Sequence, residues 1–390
     1  MYARNLDLTQ AAKRKSIFLF GPRQTGKSTL LRFQFKDAQS INLLNEKVYS
    51  ELSSNPGLFY ERLAVQSNTL IIIDEIQRLP SLLNEIHLLI EENKLRFILT
   101  GSSVRKLKRA GTNLLGGRAS QYLLHPITFL EFLSDSDGKD PLDTLARYGG
   151  LPFILKSEEP HIDMKAYIDS YLTQEIKEEA HVRSLASFTK FLTIAALQTG
   201  EQINYTSIAS DAGVSRPTIT EYFQILEDTF VGKQVIPFQT PVRKSVATPK
   251  FYLFDVGVAN FLARRFGPAM GATDFGKALE HLVWRELESY ISYHRIEVTV
   301  AYWRTHSQIE VDFIVCRDNT SPEIAIEVKG KETISDRDLK GIKLFSEEFP
   351  KIRKIIVALE KVKRIRNGVE IWPANEFFAA LWESKIVLGD

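Results

Sequence analysis

Short apolar runs separated by stretches of helical period dominate the first third of the chain. Ile17 to Phe20, Thr69 to Ile73 and Arg96 to Thr100 have the length of buried strands, and Leu82 to Glu92 repeats its apolar positions as a helix does. This alternation predicts a parallel sheet covered by helices, an α/β domain. Ser134 to Pro141, rich in Ser, Asp and Gly, marks its end. Met164 to Thr199 is amphipathic with a helical period, and Gln202 to Phe238 carries a compact helix-turn-helix signature. Pro237, Pro241 and Pro249, with Arg243 and Lys244 among them, read as a linker. Strands then return at Phe251 to Phe254, Val298 to Trp303, Glu310 to Val315, Ile324 to Val328 and Ile355 to Ala358, with helices at Gly276 to Tyr293 and Ser335 to Phe349. The expected organisation is three units: residues 1–135, α/β; 136–245, helical with a winged-helix segment; and 246–390, a second α/β unit.

Composition narrows the classes. The 390 residues suit two or three domains, and 44% hydrophobic with 25% charged residues excludes disordered and collagen-like chains. Fifty Lys and Arg against 48 Asp and Glu leave +2, so nucleic-acid binding would need local basic surfaces. The single Cys316 excludes an intrachain disulfide and zinc sites built on several thiolates, which points to the reducing cytoplasm. The apolar stretch after Lys13, Arg14 and Lys15 is too short for a signal segment, and no run has the length of a membrane span; a soluble protein is expected.

Candidate chemistry begins at Gly21-Pro22-Arg23-Gln24-Thr25-Gly26-Lys27-Ser28-Thr29, which follows an apolar strand and opens a helix. Glycines at this spacing let backbone N–H groups curl round a phosphate, Lys27 reaches the β- and γ-phosphates of ATP, and Ser28 ligates Mg²⁺. Leu70-Ile71-Ile72-Ile73-Asp74-Glu75 sets two carboxylates at the end of a buried strand. Asp74 is expected at the magnesium and Glu75 at the attacking water. Ser102, after the strand Phe97-Ile98-Leu99-Thr100, is a candidate sensor of the γ-phosphate, and Arg118, after Gly116-Gly117, a candidate arginine finger. Arg105, Lys106, Lys108 and Arg109 between them read as a solvated face, or as contacts to nucleic-acid phosphates.

The order of these motifs, continuing through Leu-Leu-Gly-Gly-Arg-Ala into Leu124-His125-Pro126, resembles prokaryotic AAA-type ATPases that carry a C-terminal domain of unknown function. The resemblance implies a P-loop AAA-type domain with Lys27, Ser28, Asp74 and Glu75 at the phosphate, magnesium and water positions. It also places Arg118 at the finger, which in ring geometry serves a neighbouring subunit. Self-association into a ring such as a hexamer is therefore expected.

In the middle segment, Tyr205 to Ala212 reads as a first helix, Gly213 as the turn, and Ser215 as the cap of a second helix with Pro217 in its first turn. Ile219, Phe223 and Leu226 share one side; Arg216, Thr218, Thr220, Glu221 and Gln224 are left outward, as on a recognition helix. Phe230-Val231 and Gln234-Val235-Ile236 suggest a hairpin wing. The same fold also serves as a protein-docking lid, and Glu221 would repel phosphates.

Farther on, Ile309-Glu310-Val311-Asp312 and Ile324-Ala325-Ile326-Glu327-Val328-Lys329 bring Asp312, Glu327 and Lys329 to one edge if the strands are antiparallel neighbours. Two carboxylates there suit Mg²⁺, with Lys329 beside a water. The pattern resembles the PD-(D/E)XK nuclease core, whose helical acid matches Glu280; Val311 stands where that family's name has proline. A degenerate fold kept for binding or packing is the alternative. Lys361, Lys363, Arg364 and Arg366 add a basic edge. The expected activity is Mg²⁺-ATP hydrolysis by a machine acting on DNA, branched or broken, in the cytoplasm. The competing expectation is a nucleotide-controlled switch or scaffold for a protein partner, without nuclease activity.

Overall fold

The computed structural model describes the chain except residues 1, 67–68, 110–114, 173–183, 241–244, 319–320, 387 and 390. Its first sheet is parallel throughout and joins β1 (Ser16–Phe20), β2 (Gln39–Asn42), β3 (Leu70–Asp74), β4 (Arg96–Gly101) and β5 (Ala119–Leu123) in the order β2-β3-β4-β1-β5. Every residue of β1 is buried, as a strand covered on both faces requires. Because β4 lies between β1 and β3, the phosphate loop, Asp74-Glu75 and Ser102 leave the sheet at the same edge. Among the helices of this unit are α1 (Lys27–Gln34) after the loop, α2 (Leu82–Asn93) between β3 and β4, and α3 (Arg105–Arg109) after β4.

The middle unit packs α4 (Leu185–Leu197), α5 (Tyr205–Ala212) and α6 (Arg216–Asp228) round one aromatic core. Ser215 caps α6 by accepting from the Thr218 N–H at 3.3 Å, and Gly213 turns the chain at φ 69°. Two expectations change here. The wing pairs β6 (Gly232–Val235) with β7 (Lys250–Leu253), so the strand expected in the third unit closes the middle one, and α7 (Val256–Leu262) follows it into the same core. Gly232 continues the strand: a Cβ there would lie 2.2 Å from Phe251 Cζ, so its bare backbone lets β6 lie against β7.

The expected linker is also not free where it is described. Phe238 is buried between Phe345 and Phe349, its N–H donates to Tyr302 O at 2.6 Å, and Val246 N–H donates to Arg304 O at 3.0 Å. Pro241, Arg243 and Lys244 lie outside the described residues.

The last unit starts with α8 (Ala272–His294), followed by β8 (Thr299–Arg304), β9 (Glu310–Cys316), β10 (Pro322–Lys329), α9 (Lys340–Ser346), β11 (Arg353–Ala358), β12 (Arg364–Arg366), β13 (Val369–Pro373) and α10 (Ala374–Trp382). The sheet order is β12-β13-β11-β10-β9-β8; β8, β9 and β10 are antiparallel neighbours and β11 runs parallel to β10. The basic edge is paired: Arg364 with Glu360, Arg366 with Asp336 and Lys363 with Glu370. The first and last units share a core, in which Glu286 accepts from the Phe129 N–H at 3.0 Å and from Trp382 Nε1 at 2.6 Å.

Candidate functional site

The phosphate loop has a backbone that only its own residues permit. Gly21 sits at φ 149°, where a Cβ would meet Leu124 O at 2.5 Å, and Gln24 and Gly26 hold left-handed angles of 59° and 99°. Lys27 is 6% exposed, and its Nζ donates to Gly21 O at 2.7 Å and Pro22 O at 3.0 Å, the loop's own carbonyls. Thr25 Oγ1 donates to Pro22 O at 2.8 Å, and Arg23 O accepts from the Tyr167 hydroxyl. Thr29 and Gly26 line a cavity of about 360 Å³ closed by Tyr2, Arg4, Pro152 and Lys156. Arg4 missed notice in the sequence because nothing local marks it: its guanidinium donates to Thr25 O at 2.7 Å and pairs with Glu131 at 3.1 Å.

Across the loop, Ser28 Oγ donates to Asp74 Oδ2 at 2.8 Å, while Thr100 Oγ1 donates to the other carboxylate oxygen. A hydroxyl and a carboxylate in contact are hard oxygen donors, so these residues fit Mg²⁺. Glu75 holds φ 62° and its N–H donates to Thr100 Oγ1 at 3.1 Å. Its side chain accepts from Gln77 Nε2, which also donates to Ser102 Oγ at 3.1 Å. Gln77, 2% exposed, thus joins Glu75 to Ser102. It follows Asp74-Glu75 by two residues in the sequence, but a role for it needs the neighbouring strand. Arg118 lies apart from this group, with Nε donating to Glu91 on α2 and a half-exposed side chain.

Arg105, expected on a solvated face, pairs with Asp228 at 3.3 Å and Glu221 at 3.2 Å. The outward face of α6 is therefore partly covered by the ATP-side unit; Arg216, Thr220 and Gln224 stay exposed.

In the last unit, the register Phe313↔Ile326 puts Asp312 beside Glu327. Asp312 Oδ2 accepts from the Val328 N–H at 2.7 Å, Lys329 Nζ donates to Glu327 Oε1, and Glu327 Oε2 is buried without a partner. Burial, then the charges of Glu327 and Glu280, pushes the Asp312 carboxyl well above its usual range, and burial also raises Glu327 against the pull of Lys329. Burial works against the charge on Lys329, but Glu327 and Asp312 outweigh it and raise its pKa. Glu280 turns elsewhere: it accepts from the Tyr252 hydroxyl at 2.6 Å and pairs with Lys250 Nζ at 3.4 Å. Among the described residues no three His, Cys, Asp or Glu side chains converge closely enough to hold a metal ion. The chemistry of Asp312 and of the unpartnered Glu327 oxygen still suits a hard cation.

Residues 13–133 match the family model described as AAA domain. The match supports a P-loop ATPase domain in the first unit. Residues 139–269 and 275–377 each match a domain of unknown function, DUF8612 and DUF4143. An uncharacterized protein of Mycobacterium tuberculosis is 27% identical over 316 residues, 77% of this chain and 67% of that protein. One from Methanocaldococcus jannaschii is 23% identical over 352 residues, 83% of this chain and 77% of that protein. Among solved structures, the Aeropyrum pernix ORC2 protein in its ADP form aligns at 15% identity with a TM-score of 0.33, over 67% of this chain and 91% of that one. Among the described residues no helix is long and apolar enough to cross a membrane.

Proposed function

We propose that the chain is a Mg²⁺-ATP-dependent ATPase of the AAA type that acts on DNA, branched or broken, and carries a nuclease-like C-terminal centre. The observation that carries the ATPase reading is the contact of Ser28 with Asp74 beside a loop whose lysine is folded inward. Lys27 binds the β- and γ-phosphates, Ser28 and Asp74 hold Mg²⁺, and Glu75 takes the proton of the attacking water. Bound there, Mg²⁺ neutralises charge across the β- and γ-phosphates. Gln77 orients Glu75 and shares its amide with Ser102, which lies at the end of the strand between the loop and the acid.

DNA as the substrate is supported by the capped α6 with Arg216, Thr220 and Gln224 exposed. The nuclease reading is supported by one helix, three antiparallel strands, a helix and a parallel strand in that order, with Glu280, Asp312, Glu327 and Lys329 on the first helix and the second and third strands. In that reading the carboxylates hold a divalent cation and Lys329 positions water at the phosphodiester. A ring of subunits, in which Arg118 leaves Glu91 for a neighbour's nucleotide, and a cytoplasmic location complete the proposal.

One observation favours a second reading, a nucleotide-controlled protein switch: Arg105 already occupies acidic groups on α6. ATP hydrolysis measured alone and with single-stranded, linear duplex and four-way-junction DNA at two salt concentrations separates the two, with Glu75→Gln as the control. Structure-dependent, salt-sensitive stimulation supports the DNA machine. An unchanged rate with every DNA replaces it by the switch.

A further inference from the structure

Lys250 reaches the carboxylate centre from the winged hairpin, outside the helices and sheet of the last unit. It lies on β7, the strand that closes the winged hairpin, and is 2% exposed. Its ammonium pairs with Glu280 at 3.4 Å and with Glu310, and stands 5.3 Å from the centre of the Tyr302 ring. Glu310 precedes Asp312 by two residues on β9, so the two carboxylates face the same side of the strand. Charge accounting follows from these contacts: Lys250 answers Glu280 and shares Glu310 with Arg304, which lies 3.0 Å from its other oxygen, and Lys329 answers Glu327. Asp312 keeps only a backbone N–H, and Glu327 retains a buried oxygen with no partner. A buried lysine is costly unless closely paired, and here it is paired twice.

We propose that Lys250 stands in the cation place of this centre and withholds Glu280 from a divalent cation, which must displace its ammonium to load. This rests on reading Glu280, Asp312 and Glu327 as a metal centre, and it names how that centre is controlled. An ammonium balances carboxylate charge but offers no coordination position to a phosphate oxygen or a water, so the plugged centre is silent. The segment that carries Lys250 is held from the helix-turn-helix and from the six-stranded sheet alike. Ile203 N–H, one residue before the α5 cap Asn204, donates to Pro249 O at 2.9 Å, and Gln202 bridges Lys250. Tyr302 on β8 holds the same segment from the other side through Thr248 O and Gln202 Nε2.

The test is Mn²⁺ binding, by calorimetry, to the full chain without nucleotide. An Asp74→Asn background removes the cation site of the phosphate loop. Lys250→Met keeps the aliphatic stem over Tyr302 and removes the charge. It should bind Mn²⁺ at least tenfold more tightly than the background protein, and Glu280→Gln added to it should abolish the gain. Lys250→Gln carries the same expectation and replaces the methionine variant if that one fails to fold. A folded Lys250 variant that binds Mn²⁺ no more tightly than the background protein overturns the proposal and makes Lys250 a structural ion pair. Tightened Mn²⁺ binding without cleavage of any DNA by the Lys250 variant would sink the nuclease reading and leave the plug standing.

Discussion

Arg105 and Asp228 join the strand that ends beside the nucleotide loop to the last turn of the helix-turn-helix, guanidinium to carboxylate at 3.3 Å with both side chains largely buried. The same junction has a backbone tie, Val104 N–H to Asp228 O at 3.1 Å. The end of β4 and the start of α3 thus carry Thr100 on Asp74, Ser102 on Gln77, and Arg105 on α6, within six residues of chain. In the proposed function, a shift of Ser102 on loss of the γ-phosphate would reach the winged-helix unit along a short stretch of chain.

Arg105→Ala should cut this path while leaving the nucleotide loop intact. Asp228 would still accept from Gln224 Nε2 at 3.3 Å. The expected loss is roughly 1.5–3 kcal/mol, the range for hydrogen bonds to charged groups, seen as a lower melting temperature. Basal hydrolysis should survive, and any stimulation by DNA should fall. Retained stimulation in a destabilised variant would show that the contact only holds the units together.

The nucleotide site makes separable predictions for its residues. Lys27→Ala should abolish nucleotide binding, because no other described side chain of the loop brings an ammonium to its centre. Glu75→Gln should keep nucleotide affinity and lower hydrolysis by about 100-fold or more, the usual contribution of a general base. Gln77→Leu should also spare affinity and lower kcat, since Glu75 loses its side-chain donor. Fluorescent-nucleotide titration beside steady-state hydrolysis checks all three; a weakened affinity in Gln77→Leu would place that residue in ground-state binding.

The parts of this arrangement that are local were legible in the sequence. The runs at Ile17, Thr69 and Arg96 became β1, β3 and β4 within a residue or so, because strands buried on both faces leave unbroken apolar stretches. The loop and Asp74-Glu75 are fixed by backbone and strand-end geometry that their own residues encode. Partners chosen at long range left no local mark. Lys250 reads as one basic residue after a proline, and Arg105 as one of several in a basic run, until the packing of β7 and α6 places acids against them. Gly149 and Gly150 look like a flexible turn, yet a Cβ on either would lie 2.2 Å from Asp255 Oδ1 or Arg285 Nη1. The requirement is a close approach that only the assembled chain creates.

Arg118→Ala tests the ring. In one chain its guanidinium is bound to Glu91 at the surface, where exposed pairs contribute little to stability. The variant should melt like the wild type. If Arg118 serves a neighbour's nucleotide, hydrolysis per chain should rise with protein concentration in the wild type and lose that dependence in Arg118→Ala. Full activity at every concentration in the variant would remove the finger.

Two buried groups give stability opposite dependences on pH. His281 is 3% exposed, its ring Nε2 lies 2.6 Å from Leu253 O, and burial pushes its pKa down to about 3. The unfolded imidazole titrates near 6.5, so its contribution is complete above that pH and is lost as pH falls from about 6.5 toward about 3. Asp312 is raised by burial and by Glu327, so the folded chain holds its proton after the unfolded chain has released it. Its contribution is complete below the ordinary carboxylate pKa of about 3.9 and declines as pH rises toward the raised value. Urea unfolding from pH 4 to 9 should show His281→Gln flattening the acid limb and Asp312→Asn flattening the decline on the alkaline side. An acid limb unchanged in His281→Gln would mean the imidazole is already charged in the folded chain, and that the hydrogen bond to Leu253 does not require its neutral form.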